Sequence, residues 1–293
     1  MAERRFTRVT SKEQLLALAK TATEDLPQSA TIHNTVLMHT RNWISWLNFF
    51  VLNDQPDSHV LMWQMKNSPS DVSFSCREDE VDHLIRVLKK TSQLDWRGHL
   101  NIYHVPYYLE KPMKMLASEL DISFFSNGHH TFTYNPHLDD DPLRCGPGFC
   151  VRRLGKAGLQ HLLNMSLYSK HLPLEPMWKM TEYLPAVGVY LDSSVTEDRP
   201  IDLQHLSYAG DEEIPVSWVS STFYGSLGML GTHKSYRRKG LGSLIITVVA
   251  RLYTRLGFIS HCHVGANNIP SKAMFNKMPA WEDTHSATWL KTP

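Results

Sequence analysis

Residues 228–258 read GMLGTHKSYRRKGLGSLIITVVARLYTRLGF: an apolar run, four cations, two glycines and a long apolar-periodic segment. From Leu241 the apolar positions 241, 244, 245, 248, 252 and 256 keep helical spacing, with Ser243, Thr247, Arg251 and Arg255 on the opposite stripe. Gly257 stands where a left-handed C-terminal cap belongs. The spacing predicts a strand over 226–232, a basic loop, and a helix over about 240–256. A helix N-terminus offers unpaired amides and about half a positive charge, and glycine lets a phosphate approach that backbone. Gly240 and Gly242 supply the approach, and Lys234, Arg237, Arg238 and Lys239 the compensating charge. The junction reads as a pyrophosphate cradle; a solvated basic loop capping an ordinary helix is the alternative. It is neither a Walker loop nor a GxGxxG fingerprint.

The frame narrows the partners. With 293 residues, 42% hydrophobic, 20% charged and a net charge of +1, the chain is long enough for two medium domains and carries no global field towards nucleic acid or anionic membrane. Cys76, Cys145, Cys150 and Cys262 lack zinc spacing and read as reduced thiols. His261 and His263, in HCH, share a strand face and could in principle ligate a metal, but core or site-lining roles are the simpler reading, and no metal is expected. No segment approaches a transmembrane length, and MAERRFTRVTSKEQ lacks a signal-peptide core, so the expectation is an intracellular protein, cytoplasmic or mitochondrial.

Along the chain, Ser11 and Gln14 at capping-box spacing open a helix over about 11–24. TIHNTVLMH (31–39) and SHVLMWQM (58–65) predict strands, EDEVDHLIRVLKK (78–90) a helix, and HLNIYHV and HTFTY strands around a helix at about 111–119. The stretch at 135–148, with three aspartates, three prolines and two glycines, predicts a solvated linker. Beyond it come a strand FCVRRL, helices at about 155–168 and 174–183, strands AVGVYL, IPVSWVSS, SLGMLGT and FISHCHV, a short helix at about 270–277 and a last strand ATWLKT. No internal repeat is visible. The expected organisation is an α/β domain over 1–140 and a second domain over 146–293.

Arg237-x-x-Gly240-x-Gly242 at a strand-to-helix junction resembles the acyl-CoA-binding motif of the GCN5-related N-acetyltransferase (GNAT) superfamily, and within it the glycine N-acyltransferase-like family. IPVSWVSSTFYGSLGMLGTHKSYRRKGLG, LGFISHCHVGANN and KAMFNKM carry the likeness, which extends more weakly to LLALAKTATEDLPQSATIHNTVLMH and LNDQPDSHVLMWQ. The resemblance implies an α+β fold with a mixed, mainly antiparallel sheet flanked by helices, a GNAT-type C-terminal domain after an α/β N-terminal domain. It implies acyl-CoA as co-substrate and direct transfer to the amino group of a glycine-like amino acid or other small amine in a ternary complex. Backbone groups at Leu230, Gly231 and Thr232 would pair with pantetheine. The amides of Arg237, Arg238, Lys239, Gly240, Leu241, Gly242 and Ser243 would hold the pyrophosphate, and Asn268 would touch the cofactor.

The chemistry asks for a base to take the amine's proton. In the mammalian glycine-conjugating enzymes a glutamate proposed for that role stands two residues after the position of Tyr224, where this chain has Ser226; a tyrosine used elsewhere as general acid falls near Phe275. Ser226 and His263 are therefore the catalytic candidates, His263 as the substitute base because imidazole titrates near neutrality. Trp218 and Trp178 line either a pocket or the core. The competing reading is a CoA-binding protein with lost or altered catalysis. Nucleic-acid binding is set aside because the basic charge is confined to one loop.

Overall fold

The computed structural model describes residues 6–52, 59–139, 141–166 and 172–293. In chain order the elements are β1 (Phe6–Val9), α1 (Lys12–Thr23), α2 (Ala30–Thr40), β2 (Leu47–Leu52), β3 (Leu61–Met65), β4 (Asp71–Ser75), α3 (Val81–Leu88), β5 (Asn101–Pro106), α4 (Tyr107–Glu119) and β6 (Phe125–Tyr134). They continue with β7 (Arg144–Cys145), β8 (Phe149–Arg153), α5 (Lys156–Met165), α6 (Leu174–Met180), β9 (Ala186–Leu191), β10 (Arg199–Pro200), β11 (Ser217–Ser221), β12 (Leu227–Thr232), α7 (Leu241–Arg255), β13 (His261–Gly265), α8 (Ile269–Phe275) and β14 (Trp281–Lys291). No helix among the described residues is long and apolar enough to cross a membrane.

The chain forms two compact units: Met1–Phe132 with Val264–Ile269 and Asp283–Pro293, and Thr133–His263 with Pro270–Glu282. Asp283–Pro293, at the end of the sequence, belong to the first unit. In that unit the strands run β1-β2-β3-β4-β5, with β14 beside β5. Pairing is antiparallel except for β4 and β5, parallel over Asp71↔Asn101, Val72↔Ile102 and Ser73↔Tyr103. Alternate residues cover both faces. Phe50, Leu52, Met62, Val72 and Phe74 join the α3 and α4 residues Leu84, Leu88, Leu109 and Met113 in one core, while Phe49 meets His39 of α2 on the other side.

In the second unit the order is β13-β12-β11-β9-β8, antiparallel except for β12 and β13, parallel at Leu227↔Cys262. Helix α7 buries Ile245, Val248 and Val249 and packs over β9, β11 and β12. Setting aside the short β7–β10 pair, the chain order repeats one plan, from β1 to β6 and again from β8 to β14: a strand, two helices, three strands, a helix, a strand, a helix and a strand. In each half a parallel strand pair, β4 with β5 and β12 with β13, is joined through a helical crossover, α3 or α7. The order of elements is thus duplicated, where the sequence displays no repeat.

Other expectations are corrected. TIHNTVLMH is helix α2, not a strand. Ile32, Val36 and Met38 are buried, and so are Thr31, Asn34 and Thr35. A helix buried all round carries no polar stripe, which left β-branched content as the local signal. The Thr35 hydroxyl donates to the Thr31 carbonyl (2.9 Å), and His33 Nδ1 meets the Ala19 carbonyl of α1 (2.9 Å). Strands β1, β2 and β4 form where the sequence reading places no element. Residues 58 and 167–168, at the ends of an expected strand and helix, lie outside the described residues.

The expected linker is largely exposed, at Asn135, Pro136, His137, Leu138, Asp141 and Pro142, but is anchored at Asp139. Asp139 accepts from Arg251 of α7 at Nη2 (2.6 Å) and Nε (2.8 Å) and from the Tyr134 hydroxyl. Burial alone would raise the Asp139 carboxyl, but the hydrogen bonds and charge of Arg251 outweigh it and hold the group below the usual range. Asp140 is outside the described residues.

Candidate functional site

The opening of α7 is built by backbone conformations that the sequence signals through glycine. A 3-10 turn at Lys234–Tyr236 leads to extended Arg237, then Arg238 at φ 62° and the N-cap Gly240 at φ 77°. No side chain caps the helix, and its first internal bond runs from the Leu244 amide to the Gly240 carbonyl (2.9 Å), so the amides of Leu241, Gly242 and Ser243 precede the helical ladder. A methyl group at Gly240 would point into open space. One at Gly242 would lie 3.3 Å from Met274 Sδ and 3.6 Å from Thr232 Oγ1. The first glycine supplies a left-handed conformation and leaves the space beside it open, and the second permits close packing within the fold.

Lys234, Arg237, Arg238 and Lys239 are exposed, and none pairs with a carboxylate among the described residues. Arg237 Nε donates to the Thr232 carbonyl (3.1 Å), tying the loop to β12; Lys239 Nζ lies over Tyr236 (5.5 Å) and Phe149 (5.8 Å). Four uncompensated cations beside uncapped amides favour an anion.

Strand β12 supplies the approach. Its pairing with β11 slips between Trp218↔Gly231 and Ser220↔Gly228, a bulge where Met229 takes φ 56°. Such a bulge bends the strand. Leu227 is buried, but Gly228, Met229, Leu230, Gly231 and Thr232 are only partly so. The Ser217 hydroxyl donates to the Gly231 carbonyl (3.0 Å) and meets Thr232 Oγ1 (2.9 Å). Trp218 packs so closely that a Cβ on Gly231 would come within 2.5 Å of its ring, and His161 abuts it edge-on; Trp218 is core. Trp178 is half-buried, its ring 6.2 Å from Tyr208.

At the start of β12, Ser226 is buried in a tight turn. The Thr222 amide donates to the Ser226 carbonyl (2.8 Å), the Ser226 amide to Thr222 Oγ1 (3.1 Å), and the two hydroxyls meet at 2.9 Å. Between them Tyr224 is half-buried, its hydroxyl bonded to both; burial pushes its phenol up to about 12 against the opposing pull of those bonds. The Tyr224 ring lies 6.3 Å from that of His263, and the His263 ring 5.3 Å from that of His261. His261 is buried, its Nδ1 2.9 Å from the Ile259 carbonyl; His263 is partly exposed. Phe275 is core, 4.9 Å from the Trp281 ring. Asn268 falls in the other unit, its amide donating to the Gly265 carbonyl (2.8 Å).

A family model described as FR47-like protein matches residues 208–289, which span β11, β12, α7 and β13. Among solved structures, a Drosophila protein from a structural genomics consortium is similar at TM-score 0.74 and 14% identity, covering 98% of each chain. A GCN5-related N-acetyltransferase from Sphaerobacter thermophilus is similar at TM-score 0.56 and 11% identity, with 99% of this chain and 96% of that one covered. A tandem GNAT protein from the clavulanic acid biosynthesis pathway gives 0.53 and 11%, with 99% and 98% covered. The fold is of the GNAT type. No curated protein matches the chain.

Within this GNAT fold, the second unit brings together the α7 amides, the four cations, the bulged strand, Ser226 and His263. Tyr224 also stands at this place, without having been a candidate in the sequence. Its signal was present as Thr222-x-Tyr224-Gly225-Ser226: two turn-forming hydroxyl residues around a glycine that takes φ 81°, with the tyrosine held between.

Proposed function

We propose that the protein is an acyl-CoA-dependent N-acyltransferase acting on the amino group of a glycine-like amino acid or other small amine. The observation that carries it is the uncapped N-terminus of α7, flanked by unpaired cations and following directly on a bulged, partly exposed strand. Acyl-CoA fits this arrangement: a pyrophosphate on the amides of residues 237–243 beside the side chains of Arg237, Arg238 and Lys239, and pantetheine along Leu230, Gly231 and Thr232.

In the reaction the amine attacks the thioester carbonyl, the C–N bond forms, and the C–S bond breaks with its electron pair leaving on sulfur. The amine's proton passes to His263, whose ring lies 6.3 Å from that of Tyr224 beside the start of β12. Ser226, buried and bonded within its turn, is no base. The alternative of CoA binding without catalysis draws on that burial and on Phe275 being core.

Isothermal titration of acetyl-CoA with the purified protein tests the site. Thiol release from acetyl- and longer acyl-CoAs with glycine, glutamine and small amines tests the chemistry. Acceptor-dependent release is expected. Binding without release under every acceptor favours the alternative, and absence of binding overturns both.

A further inference from the structure

The geometry of the Thr222–Ser226 turn points to a catalytic group that the mechanism above does not use; this rests on the transferase reading. We propose that Tyr224 is a catalytic residue, its hydroxyl donating a hydrogen bond to the oxyanion that forms when the amine attacks the thioester, and that Ser226 and Thr222 are the positioning residues that aim it.

Three features carry this. First, place: the turn ends at Ser226, and the next residue, Leu227, pairs with Cys262, whose neighbour is His263. The Tyr224 ring is 6.3 Å from the imidazole assigned to the amine's proton, at the end of β12 farther from the phosphate cradle. A pantetheine arm running down β12 would deliver its thioester here. Second, rigidity: the turn is closed by the Thr222 amide on the Ser226 carbonyl (2.8 Å), the Ser226 amide on Thr222 Oγ1 (3.1 Å) and the Gly225 amide on the Thr222 carbonyl (3.2 Å). The Phe223 ring, 4.7 Å away and edge-on, packs against Tyr224. A donor aimed in advance costs no reorganisation during reaction. Third, chemistry: the Ser226 and Thr222 hydroxyls bond the phenolic oxygen, and burial keeps the phenol in its O–H form at working pH. Such a group is a donor and not a base, which divides the labour with His263.

The step balances without a proton from Tyr224. The amine lone pair forms the C–N bond and the carbonyl pair moves onto oxygen, where Tyr224 and the strand backbone stabilise it. The pair then returns, the C–S bond breaks, and sulfur leaves as thiolate. The amine's proton goes to His263 and from there to the thiolate or solvent, giving amide and CoA thiol. Ser226 thus stands where the resemblance puts a carboxylate, but acts through a neighbour.

The test uses the full chain, acetyl-CoA and the best acceptor from the panel of glycine, glutamine and small amines. Tyr224→Phe removes one oxygen from a half-buried side chain. It is expected to lower kcat on the order of 10²-fold, as loss of one oxyanion donor does, with the acetyl-CoA Kd unchanged. Ser226→Ala is expected to lower kcat about 10-fold, and the double variant to fall no further than Tyr224→Phe alone, because both act through one hydroxyl. A structural role for Ser226 would instead multiply the two losses. Should Ser226→Ala lose its native circular dichroism, Thr222→Val takes its place in the cycle. A Tyr224→Phe rate within twofold of wild type overturns the assignment of Tyr224. Absence of turnover in the wild type with every acceptor overturns the transferase reading itself, so the two failures are distinct.

Discussion

At the scale of single residues, two glycines of the junction look alike in sequence and differ in what they do. Gly240 takes φ 77° with open space where a side chain would go, whereas Gly231 is flanked by the Trp218 ring at 2.5 Å from its virtual Cβ. Gly240→Ala should cost about 1 kcal/mol from the left-handed backbone and weaken acetyl-CoA binding at least 10-fold, its methyl intruding on the anion's approach. Gly231→Ala should cost about 1–3 kcal/mol through overpacking and act on stability first. Thermal unfolding and calorimetric titration of both variants separate the two. Equal affinity losses would mean that Gly240 does not face the ligand. The Arg237-x-x-Gly240-x-Gly242 spacing was legible because glycine and positive charge report directly on backbone and field. The fate of Ser226 was not, since a serine in a turn gives no sign of whether its hydroxyl is buried.

At the scale of elements, amphipathic segments were readable and uniformly buried ones were not. Helix α7 keeps its stripe and closes as expected: Gly257 at φ 78° donates to the Thr254 carbonyl (2.8 Å), Phe258 to that of Tyr253 (3.2 Å), and the Tyr253 and Phe258 rings pack at 4.8 Å. Helix α2, buried on every side, passed for a strand. The first unit's β6 and β14 carry a consequence in pH. Burial lowers His129 to about 4, against the pull of its backbone hydrogen bond to Asn127, and burial lowers His285 to about 4, with Asp283 opposing. Each ring is neutral in the folded chain where an unfolded histidine, near 6.5, takes up a proton. The unfolded state therefore binds more protons between pH 6.5 and 4. The stabilising contribution is whole above about 6.5 and declines as pH falls towards 4, on the order of 3 kcal/mol for the fully buried His129. Thermal unfolding followed from pH 7.5 to 4.5 should show the midpoint falling steadily across that window. A flat profile would mean that these rings protonate inside the fold at no cost.

At the scale of the whole molecule, the duplicated plan asks why one unit and not both should carry a cradle. In the first unit the position matching the basic loop is Cys76-Arg77-Glu78-Asp79-Glu80, between β4 and α3. The sign of its charge is reversed. Its one cation, Arg77, is engaged by Asp25 at 2.7 Å and Glu24 at 3.4 Å, and the Arg77 amide donates to the Glu80 carboxylate (3.3 Å). β4 and β5 pair over three successive residues, and β4 is buried from Val72 to Ser75 where β12 is partly open after Leu227. An acidic loop repels a pyrophosphate, and a closed strand pair offers no edge to pantetheine. Shared topology with opposite local chemistry predicts one acyl-CoA per chain, held by the second unit. Titration with acetyl-CoA should give a stoichiometry near one. Arg238→Glu with Lys239→Glu should weaken binding at least 100-fold, while Glu78→Lys with Asp79→Lys should leave it within twofold. A stoichiometry of two, or binding that survives reversal of Arg238 and Lys239, would return the basic loop to a helix cap in solvent and leave the duplicated plan without a functional asymmetry.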